Sequence, residues 1–168
     1  MRGARERAKH RWRVAALTPL LAAACGGSDA DPGPPVPLTT CPIPVAVAAP
    51  TFARDVLPLL RQTCGSNSAT SCHGSPFPAG KVSYSPSLTA TDVWDQLVDF
   101  PPSNAPAGWM RVAPNDVAHS WLIEKVTKDD PGGVGQAYGN RMPYGLPNLC
   151  DATVQTLENW INLGALND

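Results

Sequence analysis

Proline and glycine decide where this chain can form regular structure. Its 168 residues include 19 prolines and 14 glycines, gathered mainly between 26 and 50, between 64 and 88, from 101 to 108 and between 129 and 149. Proline removes a backbone donor and fixes φ, and glycine loses the most backbone entropy on ordering, so these stretches read as linker or loop. Four windows are left. In FARDVLPLLRQT (52–63), Phe52, Val56, Leu59 and Leu60 recur at helical spacing, with Pro58 placed to kink the helix or start a second one. TDVWDQLVDF (91–100) predicts a helix capped by Thr91, with Asp92 near the positive end of its dipole and Pro101-Pro102 ending it. Asn115 is expected to cap a third helix over 116–128. Asp151 opens the last helix, with Val154, Leu157 and Ile161 on one face, Trp160 beside them and Gly164 at its C-terminal end. No alternation of apolar and polar residues runs for five residues or more, so strands are not expected. The fold class is all-α: a small, loop-rich helical domain over 51–168, long enough for one modest core and without internal repeats.

The net charge of −1 hides an asymmetry. Residues 1–24 hold six basic groups and one acid, which leaves seven basic and thirteen acidic groups, a charge of −6, on residues 25–168. So acidic a body lacks the clustered Lys and Arg that phosphate backbones require, and nucleic acid is not an expected partner. The first 13 residues form a basic n-region and Val14–Ala24 a short apolar h-region ending in small residues, the layout of a secretory signal. No apolar run reaches the roughly 18–20 residues that span a bilayer. Cys25 follows Leu20-Leu21-Ala22-Ala23-Ala24, a junction that resembles the bacterial lipobox. That resemblance implies removal of residues 1–24 and attachment of lipid to Cys25; the alternative is an ordinary cleaved signal with Cys25 unmodified. Residues 25–50, with seven prolines, then read as an extended spacer from the anchor, in which the apolar patch Val45–Ala49 could pack on the domain.

Five cysteines remain to be placed in an oxidising compartment: 25, 41, 64, 72 and 150. Cys72-His73 is the informative pair. In c-type haem attachment two thiols add to the porphyrin vinyls, and the His after the second Cys becomes an axial iron ligand. The usual spacer is two residues, whereas seven separate Cys64 from Cys72 here. The competing reading is a Cys64–Cys72 disulfide with His73 an ordinary surface residue. With 25, 64 and 72 so used, Cys41 and Cys150 are left as a candidate disulfide joining the spacer's end to the last helix, the alternative being a free Cys41. A zinc site from Cys64, Cys72, His73 and Cys150 lacks the paired short-spacing knuckles of such sites. Lys125, Lys128 and Asp129-Asp130 read as a solvated helix end. The tryptophans at 94, 109, 121 and 160 read as core.

A wider set of phrases accompanies the cysteines. Phe52 to Leu60 reads F-x-x-D-V-x-P-L-L and Cys72-His73-Gly74 reads C-H-G. Trp94 to Val98 reads W-D-x-L-V, and Arg111 to Leu122 reads R-V-x-P-x-D-x-x-H-S-x-L. Arg141 to Gly145 reads R-M-P-x-G, and Trp160 to Ala165 reads W-I-x-x-G-A. Together they resemble the class I c-type cytochrome domains of bacterial envelope lipoproteins. The resemblance implies one covalent haem c linked through Cys64 and Cys72, with His73 and Met142 as axial iron ligands. His119, aligned with Leu122, Ile123 and Val126 on an expected apolar helix face, and Met110, more simply core filler, are the other candidates for the sixth position. The function it implies is a monohaem cytochrome, tethered by lipid at Cys25 on the periplasmic side of the envelope, that passes single electrons to a redox partner protein rather than catalysing. Two other classes stay open: a haem-free lipoprotein binding module held by disulfides, and a haem sensor or enzyme with an open iron site.

Overall fold

The computed structural model describes residues 42–65, 73–74, 78 and 81–168. The signal, Cys25, Cys41, Cys72 and most of the proline-rich spacer lie outside the described residues. Helices provide the regular structure among the described residues; extended pairing is limited to isolated bridges, Val98 with Val112, Met110 with Ser120 and Ala113 with Asp116. The fold is therefore helical, as the spacing of apolar residues predicts.

The first helical run winds as a π turn (Phe52–Val56), one α turn (α1, Leu57–Leu60) and a second π turn (Arg61–Gly65). Pro58 lies at the start of α1 and has no amide to donate to Arg54, so the ladder before it widens: the Leu57 amide reaches back to the Phe52 carbonyl. Phe52, Val56, Leu57, Leu59 and Leu60 are all buried.

Helix α2 spans Ala90–Leu97 and starts one residue earlier than the sequence suggests. Thr89, not Thr91, is its cap, because Asp92 sits three residues after Thr89 and closes a capping box with it: the Asp92 amide donates to Thr89 Oγ1 and the Thr89 amide to Asp92 Oδ2. The expected single helix over 116–128 is two pieces. A 3-10 turn, Val117–His119, is capped by Asp116 rather than Asn115, and α3, Trp121–Thr127, begins after an extended Ser120. The segment 110–112 threads between the end of α2 and the start of α3. The Arg111 amide donates to the Phe100 carbonyl at 2.8 Å, and the Leu122 amide to the Arg111 carbonyl at 2.9 Å.

Helix α4, Asp151–Asn162, starts at the predicted Asp151, ends just before Gly164, and buries the predicted Leu157, Trp160 and Ile161 on a face turned further toward Thr153 and Thr156. Thr153, Thr156, Leu157, Trp160 and Ile161 are buried, while Val154 is half-buried. Burial of Thr156 is compensated by hydrogen bonds: its hydroxyl donates to the Ala152 carbonyl at 2.8 Å and accepts the Val47 amide at 3.0 Å. Asn159 Nδ2 donates to the Val47 carbonyl at 2.8 Å, so Val47 is fixed to the domain, while Val45, Ala48 and Ala49 stay exposed.

The core gathers around Trp160, which stacks on Phe52 with ring centroids 5.2 Å apart. Leu60, Val93, Leu97, Val112, Leu157 and Ile161 are among the buried residues packed in the same cluster. The chain's end closes over the first helical run: Asp168 Oδ1 accepts the Phe52 amide and the Asp168 carbonyl the Ala53 amide, both at 2.9 Å. The indole nitrogens of Trp94 and Trp160 donate to the Ala165 and Leu166 carbonyls.

Candidate functional site

Cys64 lies in the second π turn, where the helical run reaches the Gly/Ser-rich loop. It is a free thiol, packed against the core and 3.4 Å from the Thr63 hydroxyl, and burial pushes its pKa up, which keeps it protonated at neutral pH. Gly65 follows because nothing larger is accommodated: a Cβ there would come within 2.9 Å of Tyr84 Cβ. Arg61 holds the neighbouring chain by donating to the carbonyls of Tyr84, Ser85 and Leu88, the last at 2.7 Å.

His73 is half-buried, not an ordinary surface residue. Its carbonyl accepts the Tyr84 amide at 2.7 Å, and its Nδ1 lies 3.0 Å from the Val82 carbonyl. A carbonyl only accepts, so Nδ1 carries the hydrogen and Nε2 keeps its lone pair. The Tyr84 ring, buried, packs at 5.5 Å between centroids. Desolvation lowers the imidazole pKa, and the charges of Arg111 and Lys125 act in the same direction against the Val82 hydrogen bond. The ring is thus neutral at neutral pH, oriented through one nitrogen and able to bind a soft or borderline metal through the other.

Arg111 is buried; its Nη1 donates to the Gln96 carbonyl at 2.6 Å, and its guanidinium lies 4.5 Å from the Phe100 ring centre. Burial lowers its pKa. Gln96 also accepts the Ser83 amide through Oε1, which ties α2 to the segment that carries Val82 and Tyr84.

Met142 belongs to the loop between α3 and α4 and is half-buried. Its amide donates to the Lys125 carbonyl at 2.7 Å. Arg141 beside it pairs with Asp129 at 3.2 Å and donates to the Leu146 carbonyl at 3.0 Å, with its Nη1 buried and without a partner. Asp130 accepts the amides of Gly135 and Gln136, and Glu124 that of Gly132. The Asp129-Asp130 end is therefore a loop scaffold rather than a merely solvated helix end.

The remaining predicted residues separate from these. His119 meets the Trp109 ring, 5.7 Å between centres, but is otherwise largely open to solvent rather than set on an apolar helix face. It is on the 3-10 turn, with its side chain 60% exposed and its Nδ1 2.7 Å from Asp116 Oδ2, because the extended Ser120 breaks the register with Leu122, Ile123 and Val126. Met110 is half-buried, its backbone bonded to His119 and Trp121. Cys150 is disulfide-bonded; its expected partner, Cys41, lies outside the described residues. A bonded Cys150 cannot serve the zinc set, and no cluster of three His, Cys, Asp or Glu able to hold a metal ion occurs among the described residues. Among them, too, no helix is long and apolar enough to cross a membrane.

Tyr84, Arg61, Arg111 and Lys125 enter the site without having been singled out as functional by sequence. Charge in a stretch dominated by apolar or loop residues is the signal that marks the last two. Cys64 and His73 both border Tyr84, and Met142 is tied to a lysine whose charge reaches His73. The donor chemistry of His73, Cys64 and Met142 suits a haem iron and one thioether link. Comparison of the chain with protein-family models, with curated proteins and with solved structures found no match.

Proposed function

We propose that the chain is a monohaem c-type cytochrome, tethered on the periplasmic side of the envelope by lipid at Cys25, that passes single electrons to a redox partner protein. The observation that carries this reading is His73: a desolvated, neutral imidazole whose Nδ1 is committed to the Val82 carbonyl, leaving Nε2 for iron.

His73 and Met142 would hold the iron, and Cys64 and Cys72 would provide the covalent links. The bound group supplies a one-electron couple, which His/Met ligation sets at a high potential. The protein's own part is to fix and to exclude. Val82 fixes the imidazole plane, Tyr84 covers it, and Arg61 keeps the segment that carries both against the first helical run. The loop around Met142 would keep other ligands away from the metal, so that the domain would relay electrons rather than act on a substrate. The acidic body, with a charge of −6 over residues 25–168, favours a partner with a basic docking patch and a weak, salt-sensitive complex.

The test is the visible spectrum of full-length protein made alongside a cytochrome c maturation system. Sharp α and β bands on reduction, retained under denaturing conditions that strip non-covalent haem, are expected. A colourless product would overturn the reading in favour of the binding module.

A further inference from the structure

Lys125 makes contacts that a solvated lysine at a helix end would not. Its main-chain carbonyl accepts the Met142 amide at 2.7 Å. Its ammonium donates to the Tyr138 carbonyl at 3.3 Å and, more closely, to the Asn140 carbonyl. One residue of α3 thus grips positions 138, 140 and 142, every second residue of the stretch that ends at Met142. The stem is placed as well: Nζ stands 5.8 Å from the centre of the Trp121 ring, which in turn meets the Tyr138 ring edge-on at 6.0 Å. Gly139, at φ +82°, passes so close that a Cβ there would lie 3.5 Å from Nζ. Burial lowers the lysine pKa, so the ammonium is retained at a desolvation cost that the two carbonyls offset.

We infer that Lys125 is the positioning residue of the Met142 loop: it holds the backbone from 138 to 142 so that the thioether is presented at a fixed place and competing ligands are kept out. The inference rests on the cytochrome reading for the thioether's role, but the grip on the loop does not. Hydrogen bonds from a charged donor in a partly buried setting are the stronger kind. The rest of the stretch has a glycine at 139 and no buried apolar anchor of its own. Removing the ammonium therefore leaves two carbonyls without their donor at the place where the loop must stay closed.

The experiment compares Lys125→Met, Lys125→Arg and Lys128→Met in the full chain, with two readouts. In haem-loaded protein, cyanide affinity of the ferric form should rise about tenfold or more in Lys125→Met, the size expected for one lost hydrogen bond to a charged group. The near-infrared sulfur-to-iron band should weaken, while covalent haem content stays unchanged. Lys125→Arg should recover much of the wild-type affinity, and Lys128→Met, altering an exposed residue of the same helix end, should change nothing. The second readout needs no haem: trypsin should cut after Arg141 faster in Lys125→Met than in wild type. Should Lys125→Met fail to accumulate, Lys125→Gln, which keeps a neutral donor, should show both changes at smaller size. Unchanged cyanide affinity overturns the inference even if cleavage quickens, since Lys125 would then brace the loop without placing Met142. Equal effects from Lys128→Met overturn it too. If wild-type protein carries no haem, the electron-carrier reading falls, and faster cleavage after Arg141 alone decides whether Lys125 holds the loop.

Discussion

Around Trp160 the chain is held by rings and aliphatic side chains: Phe52 stacks on the indole, and Leu157, Ile161 and Val93 close in until none is more than 1% exposed. Around Met142 the loop from 129 to 149 is held by single polar contacts onto backbone, from Lys125, Asp130, Glu124 and Arg141. Of its larger apolar side chains, Val134, Tyr144 and Leu146 stand at least half exposed and Tyr138, Met142 and Leu149 are half-buried, with Pro131 alone among them fully buried. The first region contributes to global stability through buried area. The second adds little buried area and opens locally at a cost set by a few hydrogen bonds. A scaffold of one kind thus carries a loop of the other, and the loop can be adjusted without unfolding what supports it.

The largest effect expected from this contrast is Trp160→Ala. Loss of a fully buried indole should cost about 3–5 kcal/mol in urea unfolding, with cooperative loss of the whole fold. If the variant lost the loop first and kept the scaffold, the division would be drawn in the wrong place.

Gly65→Ala, at the end of the first helical run, should have a smaller effect. The new methyl meets Tyr84 Cβ, part of the backbone-proximal core rather than the end of a flexible side chain, so about 1–3 kcal/mol of overpacking is expected. A change near zero in a thermal melt would mean that the segment carrying Tyr84 moves freely relative to the first helical run.

The smallest effect concerns the loop alone. Amide donors from Gln136 and Gly135 hold the Asp130 carboxyl below its ordinary value of 3.8. A depressed carboxylate pKa contributes order that is complete above 3.8 and is lost as pH falls through the lower folded value. The Gly135 and Gln136 amide resonances should therefore move on acidification below that point, before any cooperative unfolding, and Asp130→Asn should abolish the movement. Movement in step with the Trp160 indole signal would join the two regions into one unit.

What could be read from sequence follows the same division. The first and last helices were legible because their apolar residues repeat at helical spacing and burial decides their fate. The cap of α2 was misplaced because Thr89 and Thr91 both flank its start, and only the reciprocal bond with Asp92 selects the earlier one. The inward turn of Thr153 and Thr156 gives no hydropathy signal, and Thr156 becomes intelligible once Val47 is seen bonded to it. His119 was misjudged because one extended residue, Ser120, shifts everything before it out of register. Lys125 was hidden for a different reason: its partners are main-chain carbonyls, which every residue has, so no residue type announces them. Cys64, His73 and Met142 were named from motif alone, and the Val82 carbonyl that fixes the imidazole was beyond what a motif can state.

The bonding of Val47 to the flank of α4 has a mechanical consequence. Tension drawn along residues 42–46 is met at Val47, whose amide and carbonyl are bonded to Thr156 and Asn159, and at Pro42 and Ile43, which share a cleft with Arg54, Pro58 and Leu59. Force is therefore shared between the last helix and the first helical run. A domain drawn toward a surface through this segment would turn to that surface the side on which these two elements lie together.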